Sequence, residues 1–349
     1  MKHWDVSEIH KRIGGTVAVA LGSPAEVVRL LVLLEIHGAV CYQMDDYQGD
    51  RLRNELQKAG LQSQVVTSPD LWDLPGEFQT VLYPVPPGGE RSLKLDLVEQ
   101  AYHLLGQRGN LIVMSPYKKD DFFAPLLKKV FGKFHAHSTS TGQIFWAARH
   151  GNRPRRRHEM TFHVRMSPEC SLRFLSRPGV FSYGRFDHGA RALVETMTIR
   201  PGDRILDMGC GCGTNGAWAG KLTGEKGHVA FADSNARALA LADWNARLNG
   251  LQNFEVLSSG SIDKLPAGSF NVALANPPYY AQGTIAQNFV HRCRQMLGPG
   301  GRFYLVTKQT KTVGPFVVET FGNMEVASCR GYQVLCAKAT DDKTFAKDT

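Results

Sequence analysis

The chain has 349 residues, 43% of them apolar and 21% charged, with a formal net charge of +9 and seven cysteines. That length suits two domains of ordinary size, and no apolar run reaches the roughly 20 residues of a membrane span. The start, Met1-Lys2-His3-Trp4-Asp5-Val6, lacks a signal-peptide pattern, and the odd, irregularly spaced cysteines make no disulfide framework, so a cytoplasmic globular protein is expected.

In chain order, the first half opens on the strand Val17-Ala18-Val19-Ala20-Leu21-Gly22, which Ser23-Pro24 follows in place of a glycine run. A second apolar run ends in Leu82-Tyr83-Pro84-Val85-Pro86-Pro87, and the segment LLGQRGNLIVMSP covers 104–116. His135 and His137 fall on one face of a strand, as a solvated or core-edge pair. Between Arg149 and Arg177 eight arginines face only Glu159 and Glu169. Such clustering points to a polyanion, nucleic acid before membrane, because no amphipathic apolar face accompanies it. The alternative is a solvated linker, which Gly151-Asn152-Arg153-Pro154 resembles.

The second half alternates strands and helices. Arg204-Ile205-Leu206-Asp207 reads as a strand, followed by Gly209-Cys210-Gly211-Cys212-Gly213 and a helix. Next come a strand from His228 closing on Asp233, a helix from Asn235 to Asn249, a strand from Phe254 to Leu257, and the strand Phe270-Asn271-Val272-Ala273-Leu274. A helix over Ile285–Leu297, a strand over Gly300–Thr307, a helix near Val313–Phe321 and two closing strands complete it. This order predicts a mostly parallel sheet with helices on both faces. The halves also match each other: MLGPGGRFYLVTK at 296–308 parallels 104–116, an offset of about 190 residues. The prediction is a tandem duplication of α/β domains with a degenerate first copy, serving as scaffold or RNA grip. Expected boundaries are 1–150, a basic linker at 151–159, an active domain at 160–340 and a tail at 341–349.

Three glycines at 209, 211 and 213 let the backbone turn sharply out of a strand and leave bare amides for a ligand at a helix start. Gly211, Gly213 and Gly216 also satisfy a dinucleotide fingerprint, with Asp233 placed for a ribose. Asp207, closing the first strand, and Asn276-Pro277-Pro278-Tyr279, closing the fourth, favour S-adenosylmethionine instead. Asp207 would attract its cationic methionine end and Asp233 would accept from its ribose hydroxyls; alternatively, Asp207 caps a helix. The side-chain oxygen of Asn276 and the carbonyl of Pro277 form a pair of acceptors for a planar NH2 group. They would favour a pyramidal nitrogen aimed along the sulfur–methyl axis, while Tyr279 stacks on the base. Cys210-x-Cys212 lacks a second pair at zinc-site spacing, so no metal is expected.

Residues 160–338 resemble the class I S-adenosylmethionine-dependent methyltransferases, and among them the ribosomal RNA guanine-N2 methyltransferases of the RsmC/RlmG type. The matching residues are Pro178-Gly179-Val180-Phe181-Ser182, Asp187-His188-Gly189-Ala190-Arg191, Leu206-Asp207-Met208-Gly209-Cys210-Gly211 and Asn276-Pro277-Pro278. The resemblance implies tandem Rossmann-like domains, each a seven-stranded sheet with an antiparallel last strand. It implies methyl transfer to a guanine exocyclic amine in ribosomal RNA, in free RNA or a ribosomal subunit. Asp207, Gly209, Cys210, Gly211, Gly213, Asp233, Ser234 and Ser261 would hold the donor, with Asn276 bordering it. Ser261 stands in for the Asp or Asn usual after the third strand. Asn276, Pro277 and Tyr279 would carry catalysis. Phe181, Asp187, Arg155, Arg156, Arg157 and Lys308 would meet the target or RNA. Neither a membrane nor a metal is expected, and a monomer is the default. Tyr279 is also the residue of DNA-adenine and glutamine-amide methyltransferases, which keeps those substrates open; a non-catalytic RNA-binding assembly factor is the other alternative.

Overall fold

The structure, a computed structural model, describes residues 6–167, 169–278 and 283–340. It divides into two compact units, Met1–His158 and Glu159–Thr349. The tail at 341–349 lies outside the described residues.

The first unit runs α1 (Val6–His10), β1 (Val17–Ala20), α2 (Pro24–Leu33), β2 (Ala39–Gln43), α3 (Asp46–Lys58), β3 (Gln64–Thr67), β4 (Phe78–Pro84), α4 (Arg91–Leu104), β5 (Leu105–Ser115), α5 (Phe123–Phe131), β6 (His135–Ser138) and β7 (Gln143–Ala148). The second adds a hairpin, β8 (Met160–Ser167) and β9 (Cys170–Ser176), and α6 (His188–Thr196). It then repeats the plan: β10 (Arg204–Met208), α7 (Thr214–Thr223), β11 (His228–Asp233), α8 (Ala236–Leu248), β12 (Phe254–Ser258), α9 (Ser259–Ile262), β13 (Phe270–Ala275), α10 (Thr284–Met296), β14 (Leu297–Thr307), α11 (Thr310–Phe321), β15 (Glu325–Cys329) and β16 (Tyr332–Lys338).

The two seven-stranded sheets have the same order, β3-β2-β1-β4-β5-β7-β6 and β12-β11-β10-β13-β14-β16-β15. Five strands pair in parallel, and β7 and β16 enter antiparallel. Even an irregularity recurs, a register shift between Phe78 and Thr80 against β5 and between Phe270 and Val272 against β14. The duplication read from the sequence is therefore a duplication of register as well as of order.

Alternation within each strand explains the continuous apolar runs, because both faces are covered. In β13, Val272 and Leu274 pack into one core with Ile205 and Trp218, while Ala273 and Ala275 join Leu206 and Phe303 on the other face. Helices start where side chains satisfy the first free N–H groups: Asn235 accepts from Arg237 N and Ala238 N to open α8, and Asp45 accepts from Gln48 N to open α3.

The basic stretch is divided between the two units. Arg153, Arg155 and Arg157 lie on the first unit, Arg165 and Arg173 are exposed along the β8–β9 hairpin, and Arg177 is buried. The 151–159 segment is held down: Arg153 donates to the Lys129 carbonyl, His158 meets Glu99, and Arg155 and Arg157 lie over the Trp72 ring.

The turn before β10 is secured by a buried charge pair. Asp203 accepts from the Arg302 guanidinium and from Arg200 N, and both members of the pair are less than a tenth exposed. Asp203→Ala strands the Arg302 charge inside the protein and is expected to cost about 3–5 kcal/mol. Chemical denaturation of the variant measures it, and a loss well below that range would show that Arg302 finds water or another acceptor.

Candidate functional site

The site is assembled at the carboxyl ends of three neighbouring strands. Parallel pairing puts Met208 beside Ala232 on one side and beside Ala275 on the other. The residues that leave those strands, Gly209, Asp233 and Asn276, therefore share one edge of the sheet. The chain order reverses between β10 and β13, where open α/β sheets form their ligand crevice.

The glycine loop is built from β11. Gly209 N and Cys210 N both donate to the Ala232 carbonyl, and Gly211 N donates to Asp233 Oδ2 at 2.9 Å. Gly209 has φ +71, and a Cβ there would sit 2.7 Å from the Phe289 ring of α10, so the position excludes any side chain. Asp233 Oδ1 accepts from Asn235 N, which leaves the acid braced between loop and helix. Cys210 and Cys212 are buried; burial drives the Cys210 thiol well up and the Cys212 thiol up to about 12. Neutral, buried thiols of this kind are packing groups. No group of three or more ligating His, Cys, Asp or Glu side chains occurs among the described residues.

Asp207 is 1% exposed, and its Oδ2 accepts from Gly216 N in the first turn of α7 at 2.7 Å. The capping alternative is thus realised, from a strand rather than from the helix itself. Burial pushes this carboxyl up to about 7, against the pull of the Gly216 N–H, and Asp233 adds to the rise. One residue before Gly216, Asn215 Oδ1 is buried without a hydrogen-bond partner among the described residues. A buried acid disfavoured as an anion and an orphaned acceptor one residue before its hydrogen-bond donor are both groups that a cation carrying N–H donors would satisfy.

At the end of β13, Asn276 is half-buried and Pro277 buried. Asn276 Nδ2 donates to Asp187 Oδ2 at 3.1 Å. Tyr279 lies outside the described residues. Asp187 caps α6 through Ala190 N, so α6 and β13 meet at this carboxylate. Phe181 is 61% exposed, and Ser182 after it has φ +60. The segment before it is fixed: fully buried Arg237 donates to the Pro178 carbonyl, and Asn235 Nδ2 donates to the Gly179 carbonyl. Ser261 lies in α9, just after β12, with its hydroxyl 3.0 Å from that of Ser258. Ser234 directly follows Asp233. The Lys308 ammonium rests 4.5 Å from the Tyr332 ring centroid just past β14. Arg155, Arg156 and Arg157 belong to the first unit.

Several supports had no motif to announce them. Asn235 and Arg237 hold the Phe181 segment, and Asn245 binds both the Leu175 backbone and the Cys212 carbonyl, tying the hairpin to the glycine loop. Only the clustering of polar residues on the buried face of α8 could have signalled them.

The first unit lacks this chemistry at matching registers. The strand pairings put Val19 where β10 has Asp207, Gln43 where β11 has Asp233, and Pro84 where β13 is followed by Asn276. Leu21 nevertheless keeps a positive φ of +56 and donates to the Tyr42 carbonyl, as Gly209 does to that of Ala232.

The second unit has the fold of class I methyltransferase domains, and a second copy of the same fold, without its polar strand ends, precedes it in the chain. Residues 171–336 match the model of the methyltransferase small domain family. Among its relatives, the ribosomal RNA small subunit methyltransferase C of Pseudomonas syringae pv. syringae is 36% identical over 172 residues, 48% of this chain and 51% of that protein. The protein of the same name from Chromohalobacter salexigens is 32% identical over 197 residues, 52% of this chain and 58% of that protein. The chain thus spans about half the length of the curated relatives it matches. A solved structure, the T. thermophilus 16S rRNA methyltransferase RsmC in complex with AdoMet and guanosine, shares the two-unit fold, with TM-score 0.75 at 21% identity, covering 96% of this chain and 91% of that one.

The raised Asp207 carboxyl makes a signed prediction. Its folded-state value, about 7, lies above the ordinary 3.8, so between these values the folded protein keeps a proton that the unfolded chain has lost, and stability falls as pH rises across that window and stays lower above about 7. Asp207→Asn should therefore raise the melting temperature of the ligand-free protein most at pH 8–9 and by less at pH 5. A difference independent of pH would mean Asp207 is not buried as an acid.

Proposed function

We propose that this protein transfers a methyl group from S-adenosylmethionine to the exocyclic N2 amine of a guanine in ribosomal RNA. The observation that carries the reading is the Asn276 amide at the switch point, its NH2 engaged by Asp187 and its carbonyl oxygen left without a partner among the described residues. The names of the relatives, ribosomal RNA small subunit methyltransferases, support the choice of RNA over protein amide or DNA adenine.

The residues present fit the donor. Asp207 and Asn215 would face its cationic amino-acid end, Gly209, Cys210, Gly211 and Gly213 its passage over the loop, Asp233 and Ser234 its ribose, and Ser261 its adenine. When bound, the donor supplies an electrophilic methyl on a sulfonium. The chain's part is positioning. Asn276 Oδ1 and the Pro277 carbonyl would accept the two N–H bonds of the target amine, turning its lone pair out of conjugation with the ring. The same acceptors stabilise the positive charge that nitrogen gains, more than they stabilise the neutral amine. The base must leave its stack to reach this edge, where exposed Phe181 offers aromatic surface to receive it and Tyr279 would stack on it. Arg155, Arg156, Arg157 and Lys308 would bind phosphate. No helix among the described residues is long and apolar enough to cross a membrane; with an RNA substrate, a cytoplasmic monomer is the proposed state.

Asn276→Ala should lower turnover on unmethylated small ribosomal subunits by on the order of 10²-fold or more, with donor affinity by titration calorimetry nearly unchanged. Equal loss of both would refute the assigned role. Donor affinity of the native protein should fall as pH drops through about 7, where Asp207 takes up its proton. Replacing Arg155, Arg156 and Arg157 by Gln should weaken RNA binding and flatten its dependence on log salt by about 0.7–0.9 for each phosphate that is no longer neutralised. An unchanged slope would show that these side chains serve only the Trp72 surface.

A further inference from the structure

An amide side chain is nearly symmetric in shape but opposite in function at its two ends. Asn276 helps an amine only if its oxygen faces that amine; turned over, it presents N–H to N–H. We propose that Asp187 is the positioning residue that fixes this choice, so that the cap of helix α6 holds the Asn276 carbonyl toward the target amine. The proposal rests on the reading of Asn276 as acceptor and deepens it.

A single oxygen, Asp187 Oδ2, accepts both from Ala190 N at 2.8 Å and from Asn276 Nδ2 at 3.1 Å. The helix N–H pins the place of that oxygen, and a carboxylate has no proton to give, so only the NH2 end of the amide can face it. The backbone around it is cut to fit. Asp187 has the extended φ and ψ of a cap, −66 and 139, and two residues on, a Cβ at Gly189 would stand 2.9 Å from Asp187 Oδ2 and 3.1 Å from the Tyr332 ring. Any side chain at 189 would push the carboxylate or the ring away. Neither Asp187 nor Asn276 makes another side-chain hydrogen bond among the described residues. The pair is thus a two-membered device in which a helix start in one part of the unit sets the orientation of a side chain at a distant strand end, 89 positions along the chain.

Two substitutions separate positioning from capping. Serine is as good a cap as aspartate, and its hydroxyl is too short to reach Asn276. Asparagine can offer its one carbonyl oxygen to both donors. In the full chain, Asp187→Ser should keep its melting temperature within a few degrees, with unchanged S-adenosylmethionine affinity and unchanged KM for unmethylated small ribosomal subunits. Its kcat should fall roughly 10- to 100-fold, because the amide now samples the unproductive flip. Asp187→Asn should recover most of the loss. A second readout needs no turnover: the Asn276 side-chain NH2 resonance, assigned by its absence in Asn276→Ala, should shift and exchange faster with water in Asp187→Ser. A kcat at the native level in Asp187→Ser, an unmoved Asn276 resonance, or an Asp187→Asn no better than Asp187→Ser would each overturn the positioning role. Full turnover in Asn276→Ala would instead sink the acceptor reading on which it stands, whatever the Asp187 variants do.

Discussion

The pairing of β10 with β13 is the constraint on which the rest of the second unit depends. Met208 lies beside Ala275, so the chain leaves the sheet at Gly209 and at Asn276 side by side while running on to opposite flanks. The polar strand ends of the site are placed by that framework. Asp207 is the last residue but one of β10 and Asp233 the last of β11, and Asn276 follows β13. A slip of one residue would turn Asp207 to the other face and separate the amide from the glycine loop. The apolar residues beneath, Ile205, Leu206, Val272, Ala273 and Leu274, are fully buried, and their packing holds the register.

The two copies show what that framework does and does not require. Both keep the strand order, the register shift and the left-handed turn after the first strand, although Leu21 must adopt a positive φ that costs on the order of 1 kcal/mol relative to glycine. What differs is chemistry at the strand ends: Val19, Gln43 and Pro84 replace the two acids and the amide. An apolar residue at the first of these positions is the relaxed choice, since Asp207 is a carboxyl held in a place that resists its ionisation. The first unit has the sheet without that electrostatic strain.

Much of this was legible in the sequence because the period-2 and glycine signals were strong. The alternation of strand and helix, the duplication and the positions of Asp207, Asp233 and Asn276 relative to their strands were all read there. The hairpin β8–β9 was not, although Phe162, Val164 and Met166 alternate with exposed Thr161, His163 and Arg165, and Leu172 and Phe174 with Ser171 and Arg173. The arginines of 149–177 fall partly on the first unit and partly on this hairpin, where they occupy exposed positions of the alternation. The supporting side chains were out of reach for a different reason. Arg237 and Asn245 act through backbone carbonyls far away in sequence, and a polar residue on a helix gives no sign of which carbonyl it will find.

The same limit applies to Asp187, and it shows how the site gains its precision. A strand end positions a Cα well but leaves an amide free to turn over, since both faces are planar and of equal size. Sheet register alone therefore delivers Asn276 to the right place with its orientation undecided. The missing information comes from α6, whose start already needs an acceptor for Ala190 N; a carboxylate placed there has lone pairs to spare, and one of them reads the amide. The helix cap and the strand end are each ordinary. Their sharing of one oxygen turns a structural necessity of the helix into a choice between two otherwise equivalent arrangements of the side chain that would meet the amine.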